Sequence, residues 1–189
     1  MMKNVFLSAS VPLPSRNLQY YKTADIIAIR EAVKAFVEVV VMQDGNIVFG
    51  GHPAITPIIT NFVKVVKDKR DYITLFQSGY CSGQMPADNA FFANIVITPS
   101  VGNHLGKSLE KMRSDMLTSR QFDAGVFIGG MEGVEEEFVL FKKLHPNALL
   151  LPIASTGAAA LKIFNEGEFS KDLLTEMTYP TLFRKMLGI

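Results

Sequence analysis

The chain has 189 residues, of which 48% are apolar and 20% charged, with a formal net charge of +1. This length suits one domain over residues 1–189 with a substantial core, the composition excludes a disordered chain, and near-neutrality gives no basis for binding nucleic acid or an anionic membrane. The one cysteine, Cys81, excludes an intrachain disulfide framework, and neither a signal-peptide pattern nor an apolar run of about 18 residues occurs, so a cytoplasmic protein is expected.

Val5–Leu7 reads as a short buried strand, and the prolines of SASVPLPSRN forbid a helix directly after it. From Thr23 onward, Ile26, Ile29, Val33, Phe36 and Val40 recur at helical spacing, and QDGN turns the chain into a second strand at Ile47–Phe49. Thr56 and Pro57 read as the N-cap and first residue of a helix running to about Val66. Tyr72–Gln77 is a third predicted strand, Ser78–Asn89 a polar loop, Ile95–Thr98 a fourth strand and Ser108–Ser119 a helix. A fifth strand at Ala124–Ile128, a helix at Val134–Leu144 and a sixth strand at Ala148–Pro152 follow. Short helices around Gly157–Phe164 and Pro180–Leu187 close the chain, and no linker, repeat or low-complexity segment divides it.

Strands alternating with helices predict an α/β fold, a doubly wound three-layer sandwich of Rossmann-like type with a mainly parallel sheet. Such sheets bind ligands beyond the carboxyl ends of their strands, where the winding reverses. Small residues stand at three of those ends: Ser8 and Ser10, Gly50 and Gly51, Gly129 and Gly130. Each can expose backbone N–H groups, and the two glycine pairs lead into helix N-termini that favour phosphate. A single strand-Gly-Gly-helix junction serves as well as a tight turn, whereas two in one α/β chain point to a ligand cleft. His52 and Thr56 follow the first pair, and Gly133 follows the second. His52 alone fits a solvent-facing turn, and three histidines assemble no metal cluster by their spacing. The absence of G-x-G-x-x-G and P-loop signatures argues against ordinary dinucleotide dehydrogenases and nucleoside triphosphatases.

Helical phase sorts the acidic run after Gly133. On a helix whose apolar face carries Val134, Phe138, Phe141 and His145, Glu136 points nearly opposite that face and Glu135 to its side. Glu137 falls roughly 50 to 60° from the apolar centre, at the edge of the buried face. First-turn carboxylates also stabilise a helix by roughly 0.3 to 1 kcal/mol, which explains the cluster without any ligand. Arg113 lies about 70° from the centre of the face formed by Leu105, Leu109, Met112 and Met116. Taken alone, that suits a solvated arginine.

Taken in order, FLSAS, IVFGGHPAI, KMRSDM and DAGVFIGGMEGVEEEF resemble the SLOG superfamily of Rossmann-like nucleotide-binding domains, over Lys3–Pro152. That superfamily includes the Lonely Guy (lysine decarboxylase-like) phosphoribohydrolases and ligand-sensing domains of bacterial antiphage proteins and melastatin channels. In the hydrolase branch, a Pro-Gly-Gly stretch precedes Gly-Thr, two residues and a catalytic Glu, with an Arg on the preceding helix. The resemblance therefore implies roles for Gly129, Gly130, Gly133, Glu137 and, within a one-residue slip, Arg113. The chain departs from the pattern: Ile128 replaces the proline, an extra residue separates Gly130 from Gly133, Val134 replaces the threonine, and His52 stands where a third glycine is usual. These changes alter the phosphate cradle and bring the chain closer to the prokaryotic sensor-like branch.

Two functions follow. As a binding module or sensor, the cleft holds a nucleotide or NAD-derived ligand such as a cyclic ADP-ribose; Gly50, Gly51, Gly129 and Gly130 admit phosphates, Arg113 pairs with one and Glu137 accepts ribose hydroxyls. As an enzyme, Arg113 and Glu137 cleave the N-glycosidic bond of a nucleoside 5′-monophosphate. The altered glycine motif favours binding. The expected partners are the small-molecule ligand, further copies of the chain in a homo-oligomer and a separate effector protein; no cofactor or metal is expected.

Overall fold

A computed structural model describes residues 3–84 and 87–189. Met1 and Met2 of the N-terminal segment, and Met85 and Pro86 of the expected Ser78–Asn89 loop, lie outside the described residues. The strands are β1 (Asn4–Ser10), β2 (Asn46–Gly50), β3 (Ile73–Ser78), β4 (Asn94–Thr98), β5 (Ala124–Gly129) and β6 (Leu149–Ile153). The α-helices are α1 (Leu18–Thr23), α2 (Ile26–Met42), α3 (Thr56–Val65), α4 (Leu105–Thr118), α5 (Glu132–Leu144), α6 (Ala158–Asn165), α7 (Asp172–Thr175) and α8 (Tyr179–Leu187).

The six strands lie in the order β4-β3-β2-β1-β5-β6, and each neighbouring pair is parallel. The chain steps from β1 outward to β4, then returns to the other side of β1 for β5 and β6. Winding therefore reverses between β1 and β5, which opens a crevice at the carboxyl ends of the strands. Ser10 is paired with Gly129, and Gly50 with Phe76. The three small-residue tips therefore share one end of the sheet.

Alternation of side chains along the strands builds two cores. Val5 and Leu7 pack with α2 and α8 residues such as Val33, Phe36 and Phe183 on one face. Phe6 and Phe127 pack with Met116 of α4 and Phe141 of α5 on the other. Phe6 stacks on Phe141 with ring centroids 5.5 Å apart, while Phe127 meets Phe141 edge-on at 6.0 Å. This aromatic cluster fixes the position of α5 over β1 and β5.

Several expected elements shift. The helix expected from Thr23 starts three residues later, as α2 at Ile26 with Asp25 as N-cap, its carboxylate accepting from Ala28 N–H at 2.9 Å, and an unexpected α1 ends at Thr23 before it. Thr56 is not the N-cap of α3; that position falls to Ile55, and the Thr56 hydroxyl instead accepts from His52 N–H at 3.0 Å. The expected loop from Ser78 holds 3₁₀ turns at Gly79–Gln84 and Ala87–Phe91. Strand β4 is an edge strand with Ile95, Val96 and Ile97 exposed. An apolar run by itself does not separate an edge strand from a central one.

Candidate functional site

A cavity of about 690 Å³ lies at the carboxyl ends of β1 and β2, walled by α4 and α5. It is lined by Ser8, Ser10, Gly50, Gly51, His52, Arg113, Gly133 and Glu137. Leu109, Met112, Met131 and Leu140 supply an apolar wall. Thr56, Gly129 and Gly130, also singled out by sequence, are absent from the lining.

Packing of α5 delivers Glu137 to the cavity floor. Two residues along a strand advance about 6.6 Å, and four along a helix about 6 Å. The Phe6–Phe141 contact thus sets a second pair one step further on, Ser8 with Glu137. The Ser8 hydroxyl donates to Glu137 Oε2 at 2.5 Å, and Arg113 Nε donates to Oε1 at 3.3 Å. Exposure follows helical phase: the Glu137 side chain is 15% accessible, that of Glu136 60%. Burial pushes the Glu137 carboxyl above its usual range, against the opposing pull of Ser8 and Arg113. A carboxyl so placed both accepts hydrogen bonds and holds a proton more tightly than usual. Each carboxylate oxygen has two acceptor sites, so acceptor capacity remains for a ligand.

Arg113 is already engaged. Besides Glu137 it donates through Nη1 to Glu136, forming ion pairs with both carboxylates. Its Nη2 lies against Gly133, where a Cβ would stand only 2.9 Å away. Glycine at the first turn of α5 therefore makes room for the guanidinium.

Three of the amides expected at the glycine-rich tips are already bonded within the protein. Gly129 N–H donates to Thr156 Oγ1 at 2.9 Å, and Gly130 N–H to the Ser10 carbonyl at 2.9 Å. Gly51 N–H is likewise bonded to the Phe76 carbonyl at 3.2 Å. Gly129 and Gly130 have φ of 56° and 91°, so their glycines serve a left-handed turn from β5 into α5. That is the tight-turn alternative.

His52 is partly buried, and its Nδ1 accepts from Ala54 N–H at 3.2 Å. Burial, reinforced by the charge of Arg16, lowers its pKa to about 4. The ring is thus neutral at pH 7, with its proton on Nε2. Because the folded pKa lies below the unfolded value near 6.5, His52 contributes stability that is present above pH 6.5 and lost as pH falls through about 4. His52→Asn is expected to flatten the stability profile across that window. Urea unfolding of both proteins at pH 7 and pH 4.5 measures it, and parallel losses in the two would refute this assignment.

Sequence reasoning missed Arg16, which also lines the cavity. It follows β1 on a turn closed by Arg16 N–H and Asn17 N–H, both donating to the Leu13 carbonyl, at 3.0 and 3.2 Å. Asn17 Nδ2 donates to Glu132 Oε1 at 2.6 Å, and Tyr20 O–H to Glu135 Oε1 at 2.5 Å, strapping the β1–α1 segment to the start of α5. The readable signal was an arginine in the loop leaving a strand tip.

Among the described residues no helix is long and apolar enough to cross a membrane, and no group of three or more His, Cys, Asp or Glu could hold a metal ion. No curated protein matches the sequence. Among solved structures, the chain is similar to the X-ray structure of TM1055, a structural-genomics target, with a TM-score of 0.59 and 14% identity over 91% of this chain and 89% of that one. At that identity the likeness speaks for the fold, a six-stranded parallel sheet between helical layers. The family model described as the SLOG cluster3 family matches residues 19–187, running past Pro152 through the C-terminal helices. With nearly the whole chain spanned, the protein belongs to the SLOG cluster3 family.

Proposed function

We propose that the cavity binds a nucleotide or NAD-derived ligand of the ADP-ribose type, and that the protein acts as a sensor of that ligand. The observation that carries this reading is a largely buried carboxylate, Glu137, on the floor of a 690 Å³ cavity at the carboxyl ends of parallel strands. That volume lies within the range of about 300 to 1,000 Å³ typical of small-molecule sites. The apolar wall of Leu109, Met112 and Met131 suits a base or ribose face, while Glu137 suits hydroxyl donors. Thermal unfolding with AMP, NAD, ADP-ribose and cyclic ADP-ribose tests the reading. A ligand at about 100 times its dissociation constant adds about 2.7 kcal/mol. An unshifted midpoint with every one of these compounds at millimolar concentration would sink it.

A second reading, N-glycosidic hydrolysis of a nucleoside 5′-monophosphate, is favoured by the pairing of Arg113 with a carboxyl whose burial holds its proton more tightly. Such a carboxyl could serve as acid or base near its raised pKa. Chromatography of AMP incubated with the protein separates the two readings: release of free adenine at an enzyme-like rate replaces the sensor with a hydrolase.

A further inference from the structure

We infer that Arg16 recognises the anionic group of the ligand, which lies at the cavity mouth beside the β1–α1 turn and not on the glycine-rich strand tips. This inference rests on the nucleotide-binding reading and assigns an orientation within the same site. Three observations lead to it.

The first is the fate of the donors at the strand tips and of Arg113. The amides of Gly51, Gly129 and Gly130 are bonded to protein acceptors, and so is that of His52. Arg113 is held by two carboxylates, so a phosphate would have to displace Glu136 or Glu137 to reach it. The second is the charge of the lining. Two guanidinium groups, Arg16 and Arg113, face the carboxylates of Glu110, Glu132, Glu136 and Glu137. An anion placed deep in the cavity therefore meets excess negative charge. Among the described residues, Arg16 is the lining cation with no carboxylate within 4.0 Å. Its field reaches into the site, since it opposes protonation of His52 and favours ionised Glu132.

The third is preorganisation. Pro12 and Pro14 restrict the segment, the Leu13 carbonyl closes its turn, and the Asn17–Glu132 and Tyr20–Glu135 bonds tie it to α5. The backbone that carries Arg16 is thus fixed before a ligand arrives, so little ordering entropy is lost on binding. An arginine fork matches phosphate oxygens in a bidentate manner. With the anion there, the hydroxyl-bearing part of the ligand extends inward past Met131 to Glu137.

Isothermal titration of the full chain with AMP, ADP-ribose and adenosine tests the assignment. Wild type is expected to bind AMP more tightly than adenosine. Arg16→Gln should lose about tenfold or more in AMP affinity while adenosine affinity holds, and Arg16→Lys should recover part of the loss. Arg16 is exposed, so the unfolding midpoint of both variants should match wild type. Undiminished AMP affinity in Arg16→Gln, with AMP still preferred over adenosine, overturns the role of Arg16 and leaves nucleotide binding intact. If wild type binds neither AMP nor ADP-ribose, the nucleotide reading and this inference fall together.

Discussion

Glu137→Gln is expected to weaken binding of AMP or an ADP-ribose-type ligand by roughly 1.5 to 3 kcal/mol, the range for hydrogen bonds to a charged group. The substitution keeps the shape of the side chain. Its amide oxygen can still accept from Arg113 Nε, and its NH₂ can donate to the Ser8 hydroxyl oxygen, which reverses the present Ser8–Glu137 bond. Folding stability should therefore change by only about 1 kcal/mol, through partial loss of charge-assisted bonds. The pH profile identifies the cause. Because burial raises the folded pKa of Glu137, the native protein holds that proton more tightly than the unfolded chain. The resulting penalty is absent below the unfolded pKa and grows as pH rises through the folded one, from the ordinary carboxylate range upward. Glutamine does not titrate, so the variant should gain on wild type between pH 4 and pH 8 in urea unfolding. Unchanged ligand affinity with parallel pH profiles would reduce Glu137 to a helix N-terminal charge. If wild type releases adenine from AMP, the same variant should lose roughly 10² to 10⁴ in rate while still binding substrate.

Periodicity made the fold legible because each layer leaves its own mark. The heptad-like recurrence from Ile26 to Val40 and the short apolar strands have tertiary partners that agree with their local pattern. The pieces that escaped are those with little buried surface: α1 buries only Tyr20, and α7 only Leu173. The start of α2 was readable, since Asp25 offers an N-cap to Ala28 just before the apolar spacing begins at Ile26. Within the site, Glu137 could be selected because helical phase, a local property, decides which face of α5 is buried, whereas Arg113, whose phase on α4 suited a solvated side chain, was pointed to only by the resemblance. Whether a strand-tip amide is free is not local. Gly129 N–H is consumed by Thr156, 27 residues along the chain, and Gly130 N–H by Ser10 on the neighbouring strand. Arg16 was hidden for the same reason, because its place over the cavity depends on how a proline-containing turn is strapped to α5.

Gly157 carries the largest stability effect expected from one methyl group, and nothing in its local sequence announces it. The residue joins the 3₁₀ turn Ala154–Thr156 to α6 with φ 72° and ψ −159°, a region open essentially to glycine alone. Space is closed as well as conformation. A Cβ here would stand 1.8 Å from the Thr23 carbonyl oxygen and 2.6 Å from its carbon, which are backbone atoms and cannot swing aside. That close approach is where the end of α1 docks, since the Thr23 hydroxyl accepts from Ala158 N–H at 3.1 Å and Asp25 N–H donates to the Thr156 carbonyl at 3.2 Å. Gly157→Ala is therefore expected to cost about 1 to 3 kcal/mol in backbone strain and a further 1 to 3 kcal/mol in displaced packing. At roughly 2 to 4 °C per kcal/mol for a chain of this size, the Tm should fall by about 4 °C at the least and more than 10 °C if both costs are met in full. The change should also reach the cavity, because pushing Thr23 away loosens the segment that carries Arg16 and Asn17. Differential scanning calorimetry reads the first effect, and AMP titration of the folded variant the second. A midpoint within 1 °C of wild type would mean that the α1–α6 junction yields far more readily than its backbone contacts imply.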